Sequence, residues 1–454
     1  MGEQQSLDVQ QFLDQQPFSK FQWQTLGLCF AVVLLDGFDT GAVGFIAPSL
    51  IKEWGVSRPA LAPVLSAALM GLAAGALLAG PLSDRVGRKR VLVSAVILFG
   101  AASLVSAFAG NLTQLSVLRF ITGVGLGAAM PNAVTLISEY CPSQRRATLT
   151  NAMFCGFPLG AALGGFLAAW IIPHWGWRSV LILGGIAPLV LALLSIVLLP
   201  ESVRYMIAKG HPAEGIRAIL KRISAGVAEV RSYALSEVAT SGAAHSGIGV
   251  VFSSRYLVGS LMLWLAYFSG LVIFYSLINW MPTLLRDSGL DPQHATLVSA
   301  LFPLGGVGAV FAGWLMDHFN ANRVVAAGYA LTAASLYAIG QAVGNLGLLI
   351  VVVFVSGTFM NTSQSSLPSL AAAFYPTQGR ATGVAWMMGI GRFGGILGSF
   401  LVAELTRRQL GFDQIFAIMA IPGVLAALAI LVKQAASPDA RHAMPARSLE
   451  SPGH

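Results

Sequence analysis

Residues 324–379 read VVAAGYALTAASLYAIGQAVGNLGLLIVVVFVSGTFMNTSQSSLPSLAAAFYPTQG, 56 consecutive residues without one Asp, Glu, Lys or Arg. A hydrocarbon-spanning helix needs about 20 apolar residues. The stretch is too long for one crossing and suits two, with a break expected at Gly344-Asn345. Charge-free runs elsewhere repeat the signal at 59–83, 91–118, 120–138, 147–177, 179–200, 256–285 and 414–432. Together they predict an all-α membrane protein with twelve transmembrane helices. The helices are expected near 21–48, 59–80, 91–109, 112–138, 147–171, 179–199, 256–281, 295–316, 324–343, 346–372, 381–404 and 412–433.

Composition agrees. Of 454 residues, 56% are hydrophobic and 10% charged, against about 25% charged in soluble proteins. So few charges cannot cover a chain of this size in water, which excludes an ordinary soluble enzyme, a nucleic-acid binder and a disordered scaffold. The formal charge of +8 sits in short loops, where it sets topology. Three cysteines, Cys29, Cys141 and Cys155, lack metal-type spacing, so neither a metal site nor a disulfide framework is expected. The Gln-rich, acidic start MGEQQSLDVQQFLDQQ has no basic segment ahead of the first apolar run. That run is expected to remain as a span rather than to be cleaved.

With both termini in the cytoplasm, the cytoplasmic segments carry 19 Lys and Arg, the outer loops six, and two lie inside spans. That asymmetry fixes the expected orientation in a bacterial-type inner membrane. The long polar connection at 200–255 divides the spans six and six. The expected plan is a cytoplasmic segment 1–20, a six-helix bundle 21–199, a linker 200–255 with one short surface helix, a second bundle 256–433 and a loose tail 434–454.

The halves echo each other at an offset near 234. Gly80-Pro-Leu-Ser-Asp84-Arg85-Val-Gly87-Arg88-Lys89-Arg90 follows the second span, and Gly313-Trp-Leu315-Met-Asp317-His318 follows the eighth. Tyr140-Cys-Pro142-Ser-Gln144-Arg-Arg146-Ala147-Thr148 after the fourth answers Tyr375-Pro376-Thr-Gln378-Gly-Arg380-Ala381-Thr382 after the tenth. Two pseudo-symmetric six-helix bundles with parallel repeats resemble the major facilitator fold, in which substrate binds at midplane between halves. The Gly80–Arg90 loop is similar to that superfamily's signature loop, and Arg119 with Gly123, Gly125 and Gly127 to its fourth-helix motif. Asp36-Gly37-Phe38-Asp39 resembles the first helix of the aromatic acid:proton symporter family. LLDGFDTGAVGFIAPSL, MPNAVTLISEYCP and FYPTQGRATGVAWMMGIGRFGGILG are similar to its 4-hydroxybenzoate transporter branch. The resemblance implies a secondary transporter, not an enzyme, importing hydroxylated aromatic acids of the 4-hydroxybenzoate or protocatechuate kind by proton symport with alternating access. The implied partners are an aromatic carboxylate, protons and the bilayer. No cofactor beyond the coupling proton and no nucleic acid is expected, and the chain is expected to act as a monomer.

Some charges must lie deep. The neutral runs around Asp36 and Asp39 are 15 and 12 residues long, so neither spans alone and the first helix carries both acids inside. Three residues apart, they share roughly one face. Arg392 has 11 neutral residues on each side and belongs at mid-span. Arg119 borders 19 neutral residues and has a choice between facing inward and snorkelling to the surface. Intramembrane charge is costly and usually functional. A carboxylate at this depth suits proton coupling, so Asp36 and Asp39 are the candidates for it. An aromatic acid is an anion, and a guanidinium offers it a permanent, two-pronged partner. Arg392 is expected in that role with Arg119 modulating the acids, and the reverse assignment stays open. Phe38, Tyr267, Phe274, Tyr275, Trp386 and Phe393 are candidates to line the ring site. Asn361 and Gln364, with Ser363 and Ser366, could bond ring hydroxyls, though helix packing explains such residues equally well.

Asp84, Arg85, Arg88 and Glu139 are expected to form a cytoplasmic gate. Gly156-Phe-Pro158-Leu-Gly160-Ala-Ala-Leu-Gly164-Gly165 resembles a fifth-helix motif of antiporters, which keeps a proton-coupled exporter of drugs or aromatic compounds as the alternative. Small residues at that spacing also allow close helix packing.

Overall fold

The computed structural model describes residues 6–224, 232–234, 249, 251–308, 315–316, 318–375 and 377–436. Eleven helices among them are long and apolar enough to cross a membrane. The expected eighth span begins as Pro292–Leu304 and tightens into a 3₁₀ turn at Gly305–Gly308 before it leaves the described residues. The N-terminal half consists of Lys20–Trp54, Ala62–Val86, Arg88–Ser106, Leu112–Tyr140, a two-piece fifth helix (Arg146–Phe154 and Gly156–Trp175) and Arg178–Leu198. The C-terminal half consists of Leu257–Asp287, the eighth helix, Ala321–Gln341, Leu346–Phe374, Thr377–Arg407 and Phe412–Ala436.

Local chemistry explains the boundaries. Ser19 and Gln22 form a reciprocal capping box that starts the first helix. The 56-residue neutral stretch divides where expected. Gly344 takes a left-handed φ of 93°, and Asn345 caps the tenth helix by accepting from the Leu348 amide at 3.0 Å. Several helices run longer than the sequence suggested, because their charged ends continue past the apolar stretch. The fifth helix is interrupted at Cys155, three residues before Pro158, whose ring removes an N–H and crowds the turn before it.

The bundle's outside is apolar, with Leu77, Val197 and Phe108 each at least 75% exposed, as lipid solvation requires. Inside, small residues bring backbones together. A Cβ on Gly160 would strike the Leu34 carbonyl of the first helix, and one on Gly123 or Gly127 would strike the second helix. The fifth-helix glycine run therefore packs closely against the first helix in this structure.

Two parts are more structured than the sequence suggested. The linker holds two short helices, Val203–Ala208 and Ala213–Lys221, rather than one. The N-terminal segment folds back, with Ser6–Asp8 pairing in parallel with Ser232–Ala234. Helix Val9–Gln15 buries Val9, Phe12 and Leu13 in the cluster that contains Phe21, Tyr140, Ile216 and Leu220. Linker residues 225–231, 235–248 and 250, the tail beyond 436, Asp317 and the side chain of Asp84 lie outside the described residues.

The halves meet most closely at the end expected outside. There Arg58 pairs with Asp287 at 2.6 Å, and Arg286 donates to the Pro48 carbonyl at 2.8 Å. Gly44 lies so close to the Ile278 carbonyl that no Cβ fits between them. Both hydrogen bonds described between the halves are at this end, so the structure is closed on that side.

Candidate functional site

The first helix passes Asp36 and Asp39 unbroken at its middle, and both side chains are buried. Their environments differ. Asp39 takes a two-pronged contact from Arg119 of the fourth helix, Nη1 to Oδ1 at 2.9 Å and Nη2 to Oδ2 at 2.5 Å. Ser103 of the third helix adds a hydroxyl donor to Oδ1 at 3.2 Å. Arg119 is 1% exposed, so it faces inward and does not snorkel. Two ions this deep are tolerable only because each neutralises the other in good geometry.

Asp36 has a weaker shell. Thr40 donates to Oδ1 at 3.4 Å, and the charges of Asp39 and Arg392 both act on the carboxyl. Arg392, at the middle of the eleventh helix, is half-buried. Its Nη1 is buried without a hydrogen-bond partner among the described residues. The glycines beside it shape this side of the site: Tyr267 lies over Gly391 and Tyr275 over Gly395, where a Cβ would collide with either ring. Tyr275 is within electrostatic reach of both Asp36 and Arg392. Next to this cluster, sharing Tyr275 with it, is a narrow crevice between the halves. Its polar lining is Thr40, Arg119, Tyr275 and Asn279, and the rest is aliphatic. A buried donor without an acceptor costs roughly 1–3 kcal/mol; Arg392 Nη1 and Arg119 Nε are both in that state among the described residues, although Arg119 has both its Nη atoms on Asp39.

The other sequence candidates divide. Gln364 belongs to the Arg392 side, with Nε2 3.4 Å from the Tyr267 carbonyl and Oε1 accepting from Tyr329. Asn361 directs its amide N–H groups to the carbonyls of Phe302 (3.2 Å) and Gly357 (2.8 Å), tying down the end of the eighth helix. Phe274 bridges the halves through Phe157, centroids 6.1 Å apart. Three aromatic candidates are elsewhere. Phe38 packs inside the N-terminal bundle against Gly164 and Gly184. Trp386 stacks on Trp264 with centroids 5.9 Å apart, six residues before Arg392 and on another face of the helix. Phe393 is 66% exposed on the outside of the bundle. Composition could not separate these from Tyr275, because ring orientation depends on which helix face meets the other half.

At the end expected to face the cytoplasm, Arg88 lies 3.8 Å from Glu139 and over the Tyr205 ring. Glu139 accepts from the Ser202 hydroxyl, and the Arg85 carbonyl accepts from Tyr205 at 3.0 Å. Sequence reasoning missed Glu201. Its carboxylate accepts from the backbone N–H of Lys89 (3.0 Å) and Ser202 (2.9 Å), at the start of the third helix where the helix dipole favours an anion. The acid directly after Pro200 was the available signal. Ser103 gave none, since serines in spans commonly bond their own helix.

Comparison with known proteins gives a consistent picture. The family profile described as Major Facilitator Superfamily matches residues 29–309 and 264–448. The chain is 51% identical over 430 residues to the 4-hydroxybenzoate transporter PcaK of Pseudomonas putida, covering 94% of this chain and 96% of that one. It is 47% identical over 426 residues to a gallate transporter of Pseudomonas putida, covering 94% of each. In fold it is similar to the xylose transporter XylE from E. coli in an inward-open conformation, with TM-score 0.72, 20% identity and coverage of 90% of this chain and 96% of that one.

Proposed function

The chain belongs to the Major Facilitator Superfamily, and we propose that it imports hydroxylated aromatic acids of the 4-hydroxybenzoate or protocatechuate kind together with protons, by alternating access. It is a multi-pass membrane transporter. The proposal puts it in the bacterial inner membrane with both termini cytoplasmic. The observation that carries the substrate class is the unpartnered Nη1 of Arg392, buried beside Asp36, Tyr267 and Tyr275. The names of the relatives support the same chemistry.

Arg392 binds the substrate carboxylate, while Tyr275 and the aliphatic crevice wall receive the ring. Asp36 competes with that carboxylate for the guanidinium, so anion binding favours taking up a proton on Asp36. Asp39 carries the coupling proton. Protonation removes the charge that holds Arg119 and so loosens the first helix from the fourth, and release toward the cytoplasm restores the pair. The outer contacts Arg58–Asp287 and Arg286–Pro48 support an inward-facing state that must part for loading. One proton with one monoanion moves no net charge, so only the pH gradient drives it. A second proton on Asp36 adds about 2.3 kcal/mol per 100 mV of membrane potential.

The test is competition among radiolabelled aromatic acids for uptake into cells and inside-out or right-side-out vesicles, with and without an imposed pH gradient. Accumulation that follows an inward proton gradient, with mono- and dihydroxybenzoates competing best, is the expected result. Outward flux under the same gradient, or no competition by hydroxybenzoates, overturns the proposal.

A further inference from the structure

Ser103 lies in the last turn of the third helix, Arg88–Ser106, and is fully buried. Its hydroxyl donates at 3.2 Å to Asp39 Oδ1, the oxygen that also accepts from Arg119 Nη1. A serine in a helix has a second acceptor at hand, the carbonyl four residues back. Ser66, Ser106 and Ser299 use that acceptor, each at 2.7 Å. Ser103 gives its proton to Asp39 instead, and the Phe99 carbonyl is its alternative. Among the described residues, the charged and titratable groups around Asp39 are Arg119 of the fourth helix, Asp36 on its own helix and Arg392 of the eleventh, which acts on Asp36. Tyr275 of the seventh also reaches Asp36. The fifth and sixth helices meet the same stretch of the first with Gly160, Gly164 and Gly184, which carry no charge.

We propose that Ser103 is a positioning residue for the coupling proton: its hydroxyl holds the Asp39 carboxylate while that group is ionised, turns to the Phe99 carbonyl once it is protonated, and so sets the pH at which the site loads. The inference rests on the reading of Asp39 as the proton carrier. Ionised, Asp39 can only accept, and Ser103 supplies one of its donors. Protonated, Asp39 has an O–H of its own and releases Ser103 to the Phe99 carbonyl, so the hydroxyl is not orphaned in either state. Removing the hydroxyl therefore takes a bond from the ionised form and none from the protonated form. The acid then holds its proton more tightly. Loading persists to higher pH, and release on the opposite side slows.

The experiment uses the full chain in proteoliposomes with the membrane potential clamped at zero. Initial rates of 4-hydroxybenzoate uptake are measured against external pH at a fixed internal pH. Ser103→Ala is expected to raise the pH of half-maximal uptake by about half a unit, which is an about threefold tighter hold on the proton. The bond at 3.2 Å is longer than the usual hydroxyl–carboxylate contact, which puts the effect at the low end for a hydrogen bond to an ion. KM on the low-pH plateau is expected to stay within about twofold of the parent. Ser103→Thr keeps the donor and is expected to keep the parent midpoint. Ser103→Cys carries a weaker donor; it is expected to shift the midpoint upward by less than Ser103→Ala, and it gives the reading if Ser103→Ala does not fold. An unchanged or lowered midpoint in Ser103→Ala, an equal loss of rate at every pH, or the same shift in Ser103→Thr overturns the proposal. Asp39→Asn measured in parallel separates the two claims. If it abolishes accumulation while Ser103→Ala keeps the parent midpoint, only the Ser103 inference fails; if it still accumulates substrate uphill, the Asp39 reading fails first.

Discussion

The two membrane-embedded arginines sit in contrasting surroundings. Arg119 is buried in the N-terminal half beside the crevice, with both Nη atoms on Asp39 and its Nε without a partner among the described residues. Arg392 is half-buried in the C-terminal half, with one Nη lacking a partner. The internal repeat makes the contrast sharper. Residue 392 corresponds to Pro158, and residues 36 and 39 correspond to Gly270 and Ile273. Where one half has an acid, the other has a glycine that admits Gln364; where one has a guanidinium, the other has a helix break. Equivalent positions in the duplicated bundles thus carry different chemistry, which the proposed function assigns to proton coupling on one side and anion recognition on the other. The Arg119–Asp39 pair ties the first helix to the fourth, whereas Arg392 makes no such pair and its Nη1 has no partner among the described residues.

Substitutions at the two arginines should separate these roles. Arg392→Gln is expected to lower 4-hydroxybenzoate uptake by about a hundredfold or more, since a charge-assisted pair is lost at depth, with the protein still expressed. Initial uptake rates and membrane abundance check it. Arg119→Gln is expected to act on stability instead. It leaves Asp39 buried and unpaired, a cost of about 3–5 kcal/mol, so abundance and thermal stability in detergent should fall more than for Arg392→Gln. Arg119→Gln combined with Asp39→Asn should recover much of that stability without recovering uphill uptake. Equal destabilisation by the two single arginine substitutions would erase the distinction.

Asp39→Asn alone is expected to abolish accumulation against a gradient while substrate exchange across the membrane persists. Full uphill uptake in this variant removes Asp39 from the coupling role. At the end proposed to face outward, reversing Arg58 or Asp287 singly should shift the molecule toward opening by at most about 1 kcal/mol, because the pair is partly exposed and screened. Exchanging the two charges should restore the parent, with accessibility of an outer-facing cysteine label as the readout. Glu201→Gln is expected to have the smallest effect, a two- to threefold slower uptake, since the amide oxygen still accepts from Lys89 or Ser202 but without charge.

Much of the fold was legible because lipid imposes a simple rule: about 20 apolar residues per crossing and every backbone group bonded within its own helix. Neutral-run arithmetic therefore located the helices, including the division at Gly344-Asn345, and it forced Asp36, Asp39 and Arg392 to membrane depth. It could not orient rings. Phe38, Trp386 and Phe393 were indistinguishable from Tyr275 by residue type and depth, yet they face the bundle core, an aromatic stack and the lipid side. It could not resolve Arg119 either, whose 19-residue neutral neighbour run permits inward and outward placements alike. Nor did polarity reveal the docked N-terminal helix, because its apolar residues Val9, Phe12 and Leu13 are too few to stand out before they meet the linker helices.

By itself the sequence determined that this chain lives in a membrane, crosses it in two related sets of helices and keeps ionised side chains at the centre. Those follow from free energies that accumulate along one helix at a time and need no knowledge of its neighbours. Only the tertiary structure decided that Asp39 belongs to Arg119 and that Arg392 Nη1 has no partner among the described residues. Those depend on which faces of separate helices meet, a matter of rotations and close contacts between residues far apart in the chain.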